Sequence, residues 1–297
     1  MTGAPRVSVI TPFLNASAHI AEAIESVEAQ RFEDWELILV DDGSTDDSAA
    51  IAAAYVAKDP RIRLLEPDPA RQGAAAARNR GIAAVRGELV AFLDADDIYG
   101  PEKLAHDVAA LDGDPEAAWV YGATRWFHEN GSGKDYRERL GVRLDRRYDP
   151  PEILARIILE ERGDIPCTCG VMIRREQLLA VGGFEERFAL YEDQSLWVKL
   201  LLAYPVRVIS GCNAAYRQHI GSTSTAAASS GDYDQKSPHP ARDAFLAWIG
   251  EYADARRAPP SVRRALTIAI KANDGRYFSR LARKLRRMNR FIYPSAA

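Results

Sequence analysis

Cysteine is scarce: Cys167, Cys169 and Cys212 are the only three in 297 residues. An odd number, without a basic and then apolar N-terminal stretch, argues against a disulfide framework. Cys-Thr-Cys also lacks the spacing of a zinc-binding pair. The expectation is therefore reduced, buried thiols in a cytoplasmic protein. No run of about 18 apolar residues occurs, so a membrane-spanning helix is not expected, and "MTGAPRVSVITPFL" lacks the pattern of a secretion signal. Neither charge sign is in surplus: 39 Lys and Arg against 42 Asp and Glu leave a net charge of -3, which removes the broad basic field that nucleic-acid binding draws on. No G-x-G-x-x-G follows the first apolar segment, which excludes a Rossmann dehydrogenase fingerprint. No repeat of solenoid type is found.

A chain of this length buries roughly three quarters of its unfolded surface, enough for one large domain or one domain with an appendage. Its first two thirds alternate β-branched runs with alanine-rich amphipathic stretches, the pattern of βαβ units and a mostly parallel sheet flanked by helices. "RVSVITPF", "WELILV", "RIRLLEPD" and "ELVAFLDADD" read as four strands, separated by "SAHIAEAIESVEAQ", "DSAAIAAAYVAKD" and "GAAAARNRGIAAVRG" as helices. Ser44 and Asp47 are spaced as a capping box, and Pro101 is expected in a first helical turn. Next, "AWVYGATRWF" reads as one strand and residues 128–152 as an irregular excursion over the surface. "PCTCGVMIRREQLLAVGGF" then reads as a strand and short helix, "YEDQSLWVKLLLAY" as a helix and "VRVISGCNAAYRQH" as strands. Trp197 is expected in the core.

In "LVAFLDADDIYGPEKL" five apolar residues, Leu89 to Leu93, run straight into Asp94, Asp96 and Asp97. An unbroken apolar run suits a strand buried on both faces, and its C-terminal end is the edge where open α/β sheets bind ligands. "LILVDDGSTDDS" repeats the arrangement with Asp41 and Asp42. Either pair of acids alone reads as a helix-capping turn; two such strand ends in one array point to a shared ligand.

Together, "VSVITPFLNAS", "LILVDDGSTDDS", "GAAAARNRGI", "LVAFLDADDIYGPEKL", "GGFEERFALYEDQSLWVKL" and "YRQHIGSTS" resemble, in order and spacing, the family 2 glycosyltransferases of the GT-A fold, over roughly residues 5–225. The resemblance implies a GT-A, Rossmann-like α/β fold of the nucleotide-diphospho-sugar transferases. The activity implied is metal-dependent, inverting transfer of a sugar from a nucleoside-diphosphate-sugar to an acceptor hydroxyl of a glycan, a glycolipid or another glycoconjugate. Thr11, Pro12 and Asn15 would line the nucleotide pocket, and Asp41 or Asp42 would accept from the base, with Gly73 allowing close backbone approach and Arg78 facing the ligand. Asp96, with Asp94 on the ribose or a metal-bound water, would hold Mg²⁺ or Mn²⁺ at the diphosphate. His219 is a third candidate ligand, with a surface histidine as its alternative, and Asp97 would help start the helix at Pro101. Asp193 would be the base, supported by Glu192.

The resemblance divides the chain into a catalytic unit, residues 1–225, with a nucleotide-binding half to 115 and an acceptor-binding half from 116. Residues 226–297 form a linker and C-terminal helical appendage. The basic stretch "ARKLRRMNR", with Leu281, Leu285, Met288 and Phe291, suits a solvated helix packed on the domain, or peripheral contact with the inner face of a membrane. Two other readings stay open: a nucleotide-sugar-binding protein on the same fold without transfer activity, and a sugar nucleotidyltransferase, against which the absence of a glycine-rich basic loop after the first strand counts. The polymerising relatives' "QxxRW" is missing. Oligomeric state, donor sugar and base are not readable.

Overall fold

A computed structural model describes residues 3–131, 133–219 and 239–273. Of "GSTSTAAASSGDYDQKSPHPA", read from composition as a linker, residues 221–238 lie outside the described residues, as does the basic stretch at 282–290, while Pro240 and Ala241 already belong to a helix. The N-terminal half follows the expected alternation. Strands β1 (Val7–Phe13), β2 (Trp35–Asp41), β3 (Ile62–Leu65) and β4 (Leu89–Phe92) alternate with helices α1 (Ile20–Glu28), α2 (Ser48–Val56) and α3 (Ala74–Ala84). Every residue of β1, β2 and β4 is buried, as continuous apolar runs require of strands covered on both faces. The polar pair Ser8 and Glu36 is satisfied in place. Ser8 donates to Glu36 at 2.7 Å, and Arg86 and Arg63 add their guanidinium groups, so Glu36 stays below the usual carboxylate range although burial opposes it.

The chain continues through β5 (Ile98–Tyr99), α4 (Lys103–Asp112), β6 (Trp119–Tyr121), β7 (Thr124–His128), β8 (Tyr136–Arg137), β9 (Arg146–Tyr148), β10 (Val171–Arg174), α5 (Arg175–Ala180) and α6 (Glu192–Ala203). It then forms β11 (Val206–Val208), β12 (Ala214–Gln218), α7 (Pro240–Ala255) and α8 (Pro260–Asn273). The main sheet has the order β3-β2-β1-β4-β10-β6-β11-β9, and a smaller sheet the order β5-β12-β7-β8. The main sheet is parallel from β3 to β4, antiparallel on both sides of β10, parallel again between β6 and β11, and closed by antiparallel β9. Trp197 is fully buried and stacks on Trp119, centroids 5.4 Å apart. Phe245, Leu246 and Ile249 of α7 join the same core. No helix among the described residues is long and apolar enough to cross a membrane.

Four local expectations are corrected. "AWVYGATRWF" is two strands in two sheets, parted at Gly122 and Ala123; an added Cβ at Gly122 would lie 2.7 Å from the Gly211 carbonyl oxygen. The surface excursion contributes β8 and β9. The capping box does not form: the Ser44 hydroxyl accepts from the Asn15 amide, and α2 starts at Ser48, whose amide Asp46 receives. Cys167 and Cys212 are free thiols at intermediate exposure, and Cys169 alone is buried.

Gly122→Ala tests the split between sheets. The Cβ meets backbone, which cannot rotate away, so urea unfolding should show a loss of about 1–3 kcal/mol; unchanged stability would mean the strands separate for another reason.

Candidate active site

β1 outruns one of its neighbours. It stays paired with β2 to Phe13–Asp41, but its pairing with β4 ends at Ile10–Phe92. Thr11, Pro12 and Phe13 therefore border a crevice at the carboxyl edge, where β4 leaves the sheet and becomes Asp94–Asp97. Pro12 fits because no β4 carbonyl remains there to receive an N–H.

The β1–β2 side of this crevice is a set of mutually braced turns. Asn15, with φ at 50°, accepts at its side-chain oxygen from the Thr45 amide at 2.8 Å. Asp41 closes its own turn by accepting from Gly43 and Ser44 amides at 3.1 and 2.8 Å. Asp42 reaches across to the Gly73 amide at 2.8 Å, at the start of α3. Gly73 has φ at 101°, a conformation glycine adopts without strain. Burial raises the Asp42 pKa. One oxygen of Asp42 and the Thr11 hydroxyl are buried with no partner. Unpaired buried polar atoms each cost about 1–3 kcal/mol and are rare in native proteins; here two lie at the carboxyl ends of the neighbouring strands β1 and β2.

Arg78, on α3, is the centre of the opposite wall. Its guanidinium is buried and donates to Asp94 at 2.7 Å and to Glu192 at 3.2 Å, with the Phe184 ring 5.4 Å from its centre. The side chain expected to face the ligand is thus a clasp joining the tip of β4 to the start of α6. The second oxygen of Asp94 accepts from the Thr168 hydroxyl at 3.1 Å. Asp193 lies half-buried beside this clasp and accepts from the Gln194 amide at 2.6 Å. Burial, and then the charge of Glu192, push its pKa up to about 7 against the pull of Arg78.

Asp96 and His219 converge from β4 and β12, with 2.8 Å between Oδ2 and Nε2. The His19 ring lies 5.0 Å from that of His219. Arg217 fixes this meeting: its side-chain Nε donates to the Asp96 carbonyl at 2.9 Å, its amide donates to Asp97 at 3.0 Å, and its guanidinium pairs with Glu22. Asp97 is therefore no helix starter. It anchors β12, and burial, reinforced by neighbouring acidic groups, holds it well above the usual carboxylate range. Among the described residues, no three His, Cys, Asp or Glu side chains converge as a metal-holding group. The Asp96–His219 pair supplies two donors, which fits a hard divalent cation whose remaining positions are filled by phosphate oxygens and water.

The structure thus brings Asp94, Arg78, Glu192 and Asp193 into one cluster and Asp96 and His219 into another nearby. Thr11, Asn15, Asp41, Asp42 and Gly73 line the first wall. Sequence reasoning missed Thr168 and Arg217. Arg217 carried a signal, since it lies two residues before His219 at the end of β12. Thr168 carried none: its turn is set by Glu138, which accepts from Cys167 at 3.0 Å and from the Thr124 amide at 2.8 Å.

Comparison with known proteins agrees with this geometry. The profile of Glycosyl transferase family 2 matches residues 8–181. The putative teichuronic acid biosynthesis glycosyltransferase TuaG of Bacillus subtilis is 32% identical over 216 residues, covering 72% of this chain and 79% of TuaG. The chain spans between 30% and 40% of the length of several other curated relatives. Among solved structures, S. aureus TarS 1-349 in complex with UDP-GlcNAc superposes with a TM-score of 0.66 at 21% identity, covering 93% of this chain and 73% of that one. The mannosyltransferase PcManGT of Pyrobaculum calidifontis, in complex with GDP-Man and Mn²⁺, gives 0.59 at 20% identity, covering 98% and 74%. The fold is shared with both, and on its sequence the chain belongs to glycosyl transferase family 2.

Proposed function

We propose that the chain transfers a sugar from a nucleoside-diphosphate-sugar to an acceptor hydroxyl on a glycan or lipid-linked glycan, with residues 1–225 as the catalytic unit. The observation that carries this reading is the convergence, at one sheet edge, of a carboxyl with a pKa near neutrality and a carboxylate–imidazole pair. The TarS and PcManGT structures, which hold UDP-GlcNAc and GDP-Man with Mn²⁺, support a nucleotide-sugar donor and a divalent cation.

In this reading the base and ribose lie against the β1–β2 turns. Thr11 and the unpaired oxygen of Asp42 take up ligand hydrogen bonds, while Asp41 is already engaged in its turn. Asp96 and His219 hold the cation, Mg²⁺ or Mn²⁺. When bound, that cation supplies positive charge that offsets the negative charge developing on the departing diphosphate. Asp94, oriented by Arg78 and Thr168, faces the ribose or a coordinated water. Asp193 takes the proton of the acceptor hydroxyl as the acceptor oxygen bonds to the anomeric carbon and the bond from that carbon to the phosphate oxygen breaks. Attack from the face opposite the diphosphate inverts the anomeric centre. A base with a pKa near 7 matches this task, since about half of it is ionised at neutral pH and the ionised form still attracts a proton. Glu192 keeps that pKa high through its charge, and Arg78 prevents the carboxylates from repelling one another apart.

Two outcomes are expected. Because Asp193 must be ionised to act, kcat/KM should rise with pH and level off above about 7, close to the value to which burial pushes this carboxyl; a profile flat between pH 5 and 8 would remove Asp193 as the base. Asp193→Asn should lower transfer by about 10²–10⁴-fold. It should leave intact the thermal-shift response to donor with Mn²⁺ and the abolition of that response by EDTA. Loss of donor binding together with transfer would move Asp193 out of the base role. No thermal response of the wild type to any nucleotide sugar would refute the donor assignment.

A further inference from the structure

Tyr191, the residue before Glu192 and Asp193, has φ at 71° and ψ at 12°. Left-handed backbone is unfavourable for any residue with a Cβ, and in a bulky aromatic residue it is a true outlier. Helix-capping residues ordinarily take extended backbone. Something must hold Tyr191 there, and the contacts come from α7. The Tyr191 ring stacks on Phe245, centroids 4.8 Å apart with planes at 11°. Its hydroxyl lies 3.0 Å from Nε2 of His239. His239 is buried and caps α7, its Nδ1 accepting from the Arg242 amide. With Nδ1 accepting, Nε2 carries the hydrogen and donates it to the Tyr191 oxygen. Arg242 extends the brace to Glu161 and to the Ile158 carbonyl.

Apolar packing of α7 on the core needs neither a strained backbone nor a hydrogen bond from a capping side chain. Both occur immediately before the acidic pair. The left-handed turn sets the direction in which α6 begins, and the Tyr191 carbonyl accepts from the Ser195 amide at 2.9 Å to close its first turn. Glu192 and Asp193 lie inside that turn, with Glu192 meeting Arg78.

We infer that α7 is part of the catalytic machinery: His239 and Phe245 clamp Tyr191 in its left-handed conformation, and the clamp aims Glu192 and Asp193 at the reacting centre. Tyr191 and His239 are positioning residues that act through Asp193. The inference rests on the transferase reading for its catalytic consequence, and it concerns residues beyond the 8–181 span that the family profile matches.

Tyr191→Phe and His239→Asn test it. Phenylalanine keeps the ring stack, and asparagine remains one of the best helix caps, so each variant removes the contact while keeping the fold. Each should lower kcat about tenfold, as loss of one aligning hydrogen bond allows. Donor KM should stay within about twofold, and the double variant should be no worse than the poorer single one, since both remove the same bond. Hydrogen exchange gives a readout independent of turnover. The amides of Glu192–Ser195 should exchange about tenfold faster in both variants while the strands of the main sheet are unchanged. Unaltered kcat with unaltered exchange, multiplicative losses in the double variant, or faster exchange spread evenly over the chain would each overturn the clamp. If the wild type itself turns over no donor, the transferase reading fails, and the exchange rates alone decide whether the clamp exists.

Discussion

The buried guanidinium of Arg78 is the interaction on which the site depends. It binds Asp94 from the end of β4 and Glu192 from the start of α6, and it opposes the rise in the pKa of Asp193. Without a cation at this point, three carboxyl groups from two distant stretches of chain would meet in a poorly hydrated cleft. Their mutual repulsion would drive them apart or keep them protonated. Removing one partner of such a buried cluster costs about 3–5 kcal/mol, because the remaining charges are left uncompensated. The same pairing fixes Asp94 at the end of β4, while burial and Glu192 leave the Asp193 pKa close to neutrality. Carboxyl groups of one chemical type are thereby separated into different roles by their surroundings.

The rest of the fold delivers groups to that cation. β1 outruns β4 and opens the crevice. The smaller sheet, which the chain enters after Gly122, carries β12, whose end brings His219 to Asp96. Arg217 ties the two sheets together at the acidic turn, with one amide and one guanidinium bond to adjacent aspartates. Glu138, its pKa pushed up to about 7 by burial, holds the turn that presents Thr168 to Asp94. Arg217 and Glu138 are buried polar groups with designated partners, which gives one arrangement a clear advantage over its alternatives.

Much of this was legible in the sequence, for identifiable reasons. Unbroken apolar runs ending in aspartates located β2, β4 and the carboxyl edge, because burial on both faces leaves the runs no polar positions. Of the residues that the resemblance named, Asp94 meets Arg78 and Asp96 meets His219. The inward turn of Arg78 was not legible, since α3 is mostly alanine and offers no amphipathic pattern to show which way either of its two arginines, Arg78 and Arg80, points. Ser44 had the spacing of a helix cap, but spacing does not reveal that Asn15, 29 residues earlier, takes its hydroxyl. The division of "AWVYGATRWF" was marked only by one glycine, a signal equally consistent with a bulge. Nothing local announced Tyr191, because left-handed backbone favours glycine and asparagine; tertiary packing from α7 overrides that preference.

The central claim is that the carboxylates gathered around Arg78 and the Asp96–His219 pair form one nucleoside-diphosphate-sugar site. A crystal structure of the chain with a nucleoside diphosphate and Mn²⁺ tests it most directly. The diphosphate should lie against Asp96 and His219, with the base beside Thr11 and Asp42 and with Asp193 facing the space the sugar would fill. A diphosphate bound elsewhere, or bound here with Asp193 turned away from that space, would contradict it.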